Sequence, residues 1–314
     1  MTEGTLKLIV AAIATTTGRW RVRGLAAVYR GRCSMDGFHD WIGREQVQEE
    51  RCDAWPMRGL AALLDKATIP GPGDEIAPLA HWLMFAPSVP QSQIGSDGHP
   101  RRGGFLPPIT QPRRMWAGSD IRFMAPIRIG DHVVKTSRIA SIEEKVGRTG
   151  SLIFVVVENR YETDDGPALS EAQTLVYRED PPPGELPPPA RPAPAEAEWS
   201  VDIEPDPVLL FRYSAVTFNA HRIHYDAPYA NDVEHYPRPV VHGQLIATLM
   251  LDRLGSRRQD KRLQRFTFRA QRPLLCDTAF AVEGARPRED GTMELWSRTR
   301  DGELTMSATA EFEA

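Results

Sequence analysis

An α+β fold written twice along one chain is what this sequence predicts, and three observations predict it. Two segments, residues 59–66 and 243–253, carry apolar residues at three- and four-residue spacing spread most of the way around, the pattern of a helix wrapped by a sheet. Each is followed by the same succession of strand, proline break, turn and strand, closing with a hairpin at an Asp-Gly turn. Between the copies lies a proline-rich stretch, residues 181–199, with eight prolines in its first fourteen positions, which removes backbone donors and favours an extended spacer.

In chain order, residues 1–34 are expected to lie outside the folded unit and to be dispensable, because helix chemistry begins only near Met35. Their apolar core, residues 8–14, is short and is followed by Arg19, Arg21 and Arg23, a poor flank for a cleaved leader. The first repeat spans 35–180. Its helix follows Trp55-Pro56, proline being suited to a helix start, and its strands include residues 121–131 and 152–161. Between helix and sheet it inserts residues 67–115, rich in Gly and Pro; a loop of that length is usually functional or mobile. The second repeat, 200–314, has its helix opened by His242-Gly243, strands over 266–277, and a hairpin at Asp301-Gly302 that echoes Asp165-Gly166. Two antiparallel sheets, each wrapping a central helix, amount to a double hotdog.

Composition excludes several functions. The formal net charge of −4 provides no basic field for nucleic acid. No apolar run approaches the ~18 residues of a membrane span. Cys33, Cys52 and Cys276 lie far apart with no Cys-x-x-Cys pair, so neither a disulfide framework nor a thiolate zinc site is written here, and a reducing, cytoplasmic setting fits. Gly-x-Gly-x-x-Gly, Walker and Gly-x-Ser-x-Gly signatures are absent, which removes support for nucleotide-dependent chemistry and for serine hydrolysis.

The chemistry concentrates in the second repeat, where His221, His224, His235 and His242 fall within 22 residues. Residues 211–226 read FRYSAVTFNAHRIHYD, and YPRPVVHG at 236–243 opens the buried helix. This text resembles the MaoC-like, R-specific enoyl-CoA hydratases, and is closer still to the mitochondrial-type 3-hydroxyacyl-thioester dehydratases and to mesaconyl-CoA (3-methylfumaryl-CoA) and itaconyl-CoA hydratases. DGHPRRGGFLPP at 97–108 and RMWAG at 114–118 extend the similarity from Met35 to the end. The resemblance implies reversible hydration of an enoyl-CoA without a cofactor, with a catalytic histidine matched by His224. Where the motif has its acidic residue this chain has Asn219, and His221-Arg222 replace asparagine-proline. An amide cannot exchange a proton at neutral pH, so His224 must do most of the proton work.

Hydration across a thioester-conjugated double bond needs a base for water, a proton for the α-carbon and donors for the enolate-like oxygen. A histidine can act as acid and base, and Asn219 offers an amide to orient water. The unpaired amides behind His242-Gly243 can receive developing negative charge. His221 and Tyr213 are expected to support these groups. Arg212, Arg222 and Arg238 flank the motif and could hold a carboxylate at the far end of a dicarboxylic acyl group. Gly104 and Phe105, within 103–108, are expected in a lid over the acyl tunnel. The pairs Arg101-Arg102, Arg113-Arg114, Arg257-Arg258 and Lys261-Arg262 could meet CoA phosphates. His39, His81, His99 and His132 are expected at the surface or in loops, no metal site is expected, and the first repeat should supply the opposite wall of the pocket. A homodimer is expected. Competing readings are dehydration of 3-hydroxyacyl groups on acyl carrier protein, thioester hydrolysis, which the missing carboxylate disfavours, and non-catalytic acyl binding.

Overall fold

A computed structural model describes residues 37–147, 150–180, 189–257 and 261–313; the expectation for residues 1–34 and the first part of the linker, 181–188, lie outside the described residues. The described residues form ten strands and four α-helices. The first half runs β1 (Glu45–Arg51), α1 (Ala54–Leu63), β2 (Arg113–Phe123), β3 (His132–Gly147), β4 (Gly150–Thr163) and β5 (Gly166–Arg178). The second runs β6 (Trp199–Ile203), α2 (Pro207–Thr217), α3 (Ala227–Asp232), α4 (Gly243–Gly255), β7 (Leu263–Ala270), β8 (Phe280–Gly284), β9 (Thr292–Thr299) and β10 (Leu304–Phe312).

Outward from the centre the strands are ordered β2, β5, β4, β3, β1 on one side and β7, β10, β9, β8, β6 on the other, so one connectivity is used twice. Where the sequence predicted two sheets, the strands form one, because β2 pairs antiparallel with β7 from Gly118 opposite Arg269 to Arg122 opposite Arg265. Three contacts explain the join. Ile121 and Phe266, opposite one another, are wholly buried. Arg265 clasps Asp120 through Nε to Oδ1 at 2.8 Å and Nη2 to Oδ2 at 2.7 Å, a bidentate fit that holds the Asp120 carboxyl below its ordinary range. Gly118 has no side chain to obstruct the approach: a Cβ there would stand 2.2 Å from the Phe268 carbonyl oxygen.

Helix α4 buries Leu245, Ile246, Ala247, Thr248, Leu249, Met250, Leu251 and Leu254, the all-round burial its sequence implied. Helix α1 departs from that expectation. It buries only Met57, Leu60, Ala61 and Leu63, leaves Trp55 66% exposed, and packs on α2, where a Cβ on Gly59 would lie 2.6 Å from Val216 Cγ1. Helix α2 starts cleanly: Asp206 Oδ1 accepts from the Leu209 N–H at 2.7 Å and Pro207 occupies the first turn. All three helices and strands of both halves share one core, with Leu60, Tyr213, Leu245, Phe266 and Leu295 among its members.

The insertion is folded down rather than free. Phe105 and Leu106 pack on a smaller core of Phe38, Ile109, Ile139, Val155 and Tyr177, so the segment expected as a lid covers the face of β3, β4 and β5, while Gly104 is exposed. Strand β2 starts at Arg113, inside the stretch assigned to the insertion, so Arg113 and Arg114 belong to the sheet. His81, expected at the surface, is 1% exposed, with Nε2 3.5 Å from Glu171 Oε2. Glu171 also accepts from Ser119 Oγ at 2.7 Å and Trp82 Nε1 at 3.2 Å; burial alone would raise its carboxyl, but these partners and Lys135 hold it below its ordinary value. No local pattern announces this pairing, because its members come from the insertion, β2 and β5.

Gly118→Ala should lower the thermal midpoint by about 2–10 °C, since a methyl driven against a strand carbonyl costs roughly 1–3 kcal/mol. Gly255→Ala, where a Cβ meets nothing within 4 Å, is the control and should leave the midpoint unchanged or higher.

Candidate active site

The histidine-rich segment is shaped by short-range hydrogen bonds. Helix α2 ends at Phe218 in the left-handed region, φ 50°. The Asn219 side chain then closes a tight turn, its Oδ1 accepting from the His221 N–H at 3.0 Å, which leads into a 3-10 turn at Arg222–His224. Asp226 caps α3 by accepting from the Tyr229 N–H at 3.1 Å. Its other oxygen takes both Nε and Nη2 of Arg222, at 2.9 and 2.7 Å.

These turns gather three imidazoles of the motif. His224 Nδ1 lies 2.7 Å from the Val240 carbonyl oxygen. A carbonyl only accepts, so Nδ1 carries the proton and Nε2 is left with its lone pair. The ring stacks on His242, centroids 3.7 Å apart and planes 19° from parallel. His242 caps α4 by position, places Nε2 2.8 Å from Ser214 Oγ, leaves Nδ1 buried without a partner, and has the edge of buried Tyr213 against it at 5.0 Å. His221 meets His224 edge-on at 5.4 Å.

A fourth imidazole comes from the other half. His99, expected in a loop, stands with its ring 4.1 Å from that of His221. Asp97 holds it twice: Oδ1 accepts from the His99 N–H at 3.0 Å, and Oδ2 lies 3.2 Å from His99 Nδ1. The loop is locked onto the motif by the Arg222 N–H donating to the Asp97 carbonyl at 2.9 Å and by Gly98, φ +90°, where a Cβ would fall 1.8 Å from the Ala220 carbonyl oxygen. Sequence reasoning quoted this segment as part of a resemblance but gave its histidine no role. A pairing 122 residues away leaves no local signal.

The site is electrostatically dry. Burial pushes the His224 imidazole down to about 4 against the carbonyl bond that favours its proton, and pushes His221 down to about 2, aided by neighbouring His99 and His224. Burial drives His242 well below its ordinary value and lowers His99, which Asp97 opposes. Among the described residues no three histidine, cysteine or carboxylate groups converge as a metal site.

A cleft of about 410 Å³ opens beside this cluster, lined by Asp97, His99, Arg101, Arg102, Arg114 and Glu234 among others, and a narrower inner pocket continues past His99 and Arg114 to His221, Ile223 and Tyr236. His224, His242 and Gly243 lie outside both linings, although Gly243 is only half-buried. The arginines singled out from sequence are elsewhere. Arg222 is committed to Asp226 and the Ser96 carbonyl and lies over Tyr229; Arg238 is exposed and donates to the Asp277 carbonyl; Arg212 is exposed on α2. Of the pairs considered for phosphate, Arg102 is consumed by the carbonyls of Ile109, Gln111 and Pro112, and Arg113 by Asp180 and the Glu234 carbonyl. Arg114 has no carboxylate in an ion pair among the described residues.

A neutral buried His224 makes folding sensitive to acid. Its imidazole titrates near 6.5 when unfolded and near 4 when folded, so the stability it contributes is full above about pH 6.5 and is lost as pH falls toward 4. Urea unfolding at pH steps from 7.5 to 4.5 should show His224→Gln removing up to one proton of slope, about 1.4 kcal/mol per pH unit. Parallel curves for wild type and variant would refute it.

Known proteins share the fold. A chain whose structure is described as a double hotdog fold, a conserved hypothetical protein from Mycobacterium tuberculosis, superposes with a TM-score of 0.51 at 12% identity over 87% of this chain and 98% of its own. HtdX of Mycobacterium tuberculosis superposes with a TM-score of 0.63 at 21% identity, over 86% of this chain and 100% of its own. In sequence, the chain is 43% identical over 272 residues, 86% of its length, to 96% of the mesaconyl-C(4)-CoA hydratase of Chloroflexus aurantiacus. Residues 79–276 match the family model for hydroxyacyl-thioester dehydratase type 2, a span that includes Asp97, His99 and the whole of the motif segment; the chain belongs to that family of hotdog-fold dehydratases.

Proposed function

We propose that this protein is a hydro-lyase that reversibly hydrates an enoyl-CoA, and that its substrate is a short dicarboxylic one of the 3-methylfumaryl-CoA type, giving a citramalyl-type product. The observation that carries the reading is the 43% identity extending across nearly all of a mesaconyl-C(4)-CoA hydratase. The site chemistry supports it. His224 Nε2, its lone pair fixed by the Nδ1 bond to Val240, accepts a hydrogen bond from the reacting water. The first-turn amides of α4, following His242 and Gly243, lack helical partners and receive charge developing on the thioester oxygen. Asn219 acts through the loop, since its carbonyl oxygen is already engaged by the His221 N–H, so it shapes the turn that presents His224. Tyr213 and Ser214 brace His242.

A dicarboxylic acyl group requires a cation where the acyl group lies. Arg114 is that cation in this reading, because it lines both cleft and inner pocket and pairs with no carboxylate among the described residues. Arg222, spent on Asp226, is a brace for the motif. Dehydration of 3-hydroxyacyl thioesters is the second reading, favoured by the family match, and it runs the same chemistry backwards.

Product analysis and kcat/KM with 3-methylfumaryl-CoA, crotonyl-CoA and a 3-hydroxyacyl-CoA test this. The dicarboxylate should be preferred by tens-fold or more, a charge-assisted hydrogen bond being worth about 1.5–3 kcal/mol, and Arg114→Met should erase the preference. Equal loss on both enoyl substrates would instead place Arg114 on a CoA phosphate. His224→Ala should lower kcat about 10²-fold or more on every substrate turned over, with retention of half the wild-type rate counting against its role.

A further inference from the structure

The motif has Asn219 where its acidic residue would stand, and the fold brings a carboxylate–imidazole pair from the other half. We infer that the Asp97–His99 pair of the first-half insertion is the acid–base group of this site: His99 is a catalytic residue that carries the proton between water and the α-carbon, and Asp97 is the positioning residue that orients it. The inference rests on the hydration reading and names the group through which that chemistry runs.

Geometry carries it. His99 lines both the cleft and the inner pocket, whereas His224 lines neither. The carboxylate accepts from the Nδ1 side of His99 at 3.2 Å, which puts the neutral ring's proton on Nδ1 and leaves Nε2, bonded to nothing among the described residues, free as an acceptor. Asp97 cannot swing away, because its own oxygen caps the His99 N–H, its carbonyl is held by the Arg222 N–H, and Gly98 is pressed on Ala220. A His oriented by a fixed carboxylate is the arrangement that stabilises an imidazolium at the moment it forms. Among the described residues no carboxylate pairs with His224, whose Nδ1 partner is a neutral carbonyl.

The step balances without a co-reactant. As the water oxygen bonds to the β-carbon and the C=C pair moves to the α-carbon, His99 Nε2 takes one water proton and becomes imidazolium beside the Asp97 carboxylate. It then returns that proton to the α-carbon, and the pair ends as it began. His224 and His221 hold the water and the ring through this exchange. Burial alone would raise the Asp97 carboxyl, but the side-chain and backbone hydrogen bonds from His99 keep it well below its ordinary range, so it stays ionised. The charged or titratable groups that share its pockets or act on it are Arg101 and Arg102 on its own loop, Arg113 and Arg114 on β2, Asp180 after β5, His221 and His224 at the 3-10 turn, Tyr229 on α3, and Glu234 and Tyr236 after it; Arg114 and Arg102 disfavour its protonated form and Asp97 opposes them.

Three measurements on the full chain test the pair. His99→Asn, which keeps a donor for Asp97 but cannot carry a proton, should lower kcat about 10²-fold or more with KM changed less than about threefold. Asp97→Asn should lower kcat and move the acid limb of the kcat–pH profile to lower pH, because removing the carboxylate lowers the His99 pKa; Asp97→Glu should recover part of both. Nitrogen-15 NMR of the imidazoles, which needs no turnover, should find neutral His99 in the Nδ1–H tautomer in wild type and lose that preference in Asp97→Asn. His99→Asn retaining more than about a third of kcat, an unmoved acid limb, or an Nε2–H tautomer at His99 would overturn the inference. Wild type that turns over no enoyl-CoA would sink the hydration reading alone, leaving the tautomer to decide the pair.

Discussion

Everything distinctive about this site follows from one strand pairing, that of β2 with β7. The insertion of the first half runs directly into β2 at Arg113, and α4 leads into β7 at Leu263. Zipping those two strands together therefore sets how far along the sheet the insertion sits from the histidine-bearing turn. Gly118 lets the backbones meet, the Arg265–Asp120 clasp fixes the register, and Ile121 with Phe266 keeps water out of the seam. Side chains over a hundred residues apart in sequence become neighbours as a result.

What they form is a row of imidazoles, His99, His221, His224 and His242, in ring contact from one to the next. Four cations in such a row would repel, and burial keeps each neutral form favoured. Neutral rings must then be ordered by hydrogen bonding rather than by charge. The Val240 carbonyl does this for His224 and Asp97 does it for His99. These two rings differ in kind, one facing a dipole and the other a full negative charge, and the second is the better placed to compensate a transient positive charge.

The parts of this molecule legible in the sequence were those written in local periodicity or in a contiguous motif. The apolar spacing of 243–253 anticipated α4 because a helix surrounded on all sides needs apolar residues on all sides, and the strand, turn and Asp-Gly succession anticipated a doubled order of strands. The 219–224 text located the histidine turn. Helix α1 read too apolar, because the cover over one of its faces is another helix, α2, that the periodicity of α1 cannot name. One sheet was read as two for the same reason, since a seam between repeats belongs to neither. His81 was read as exposed because its partner Glu171 lies 90 residues on, and proximity misled for the arginines: Arg222, beside the motif in sequence, is bound to Asp226 four residues on, whereas the arginines lining the pockets come from the insertion and from β2 of the other half.

The doubled strand order carries a consequence for how such a site can change. Two separate copies of one hotdog chain would share every substitution, so a loop that helps at one position is imposed on its twin as well. Joining both copies in a single polypeptide releases that bond. The first copy carries 67–115 between helix and sheet and the second has no counterpart there; the second has a histidine-bearing turn before its central helix, where the first passes from Cys52 through Asp53 into α1. A joined pair thus gives up one of two equivalent mouths, and gains a remaining one whose two walls can be altered independently.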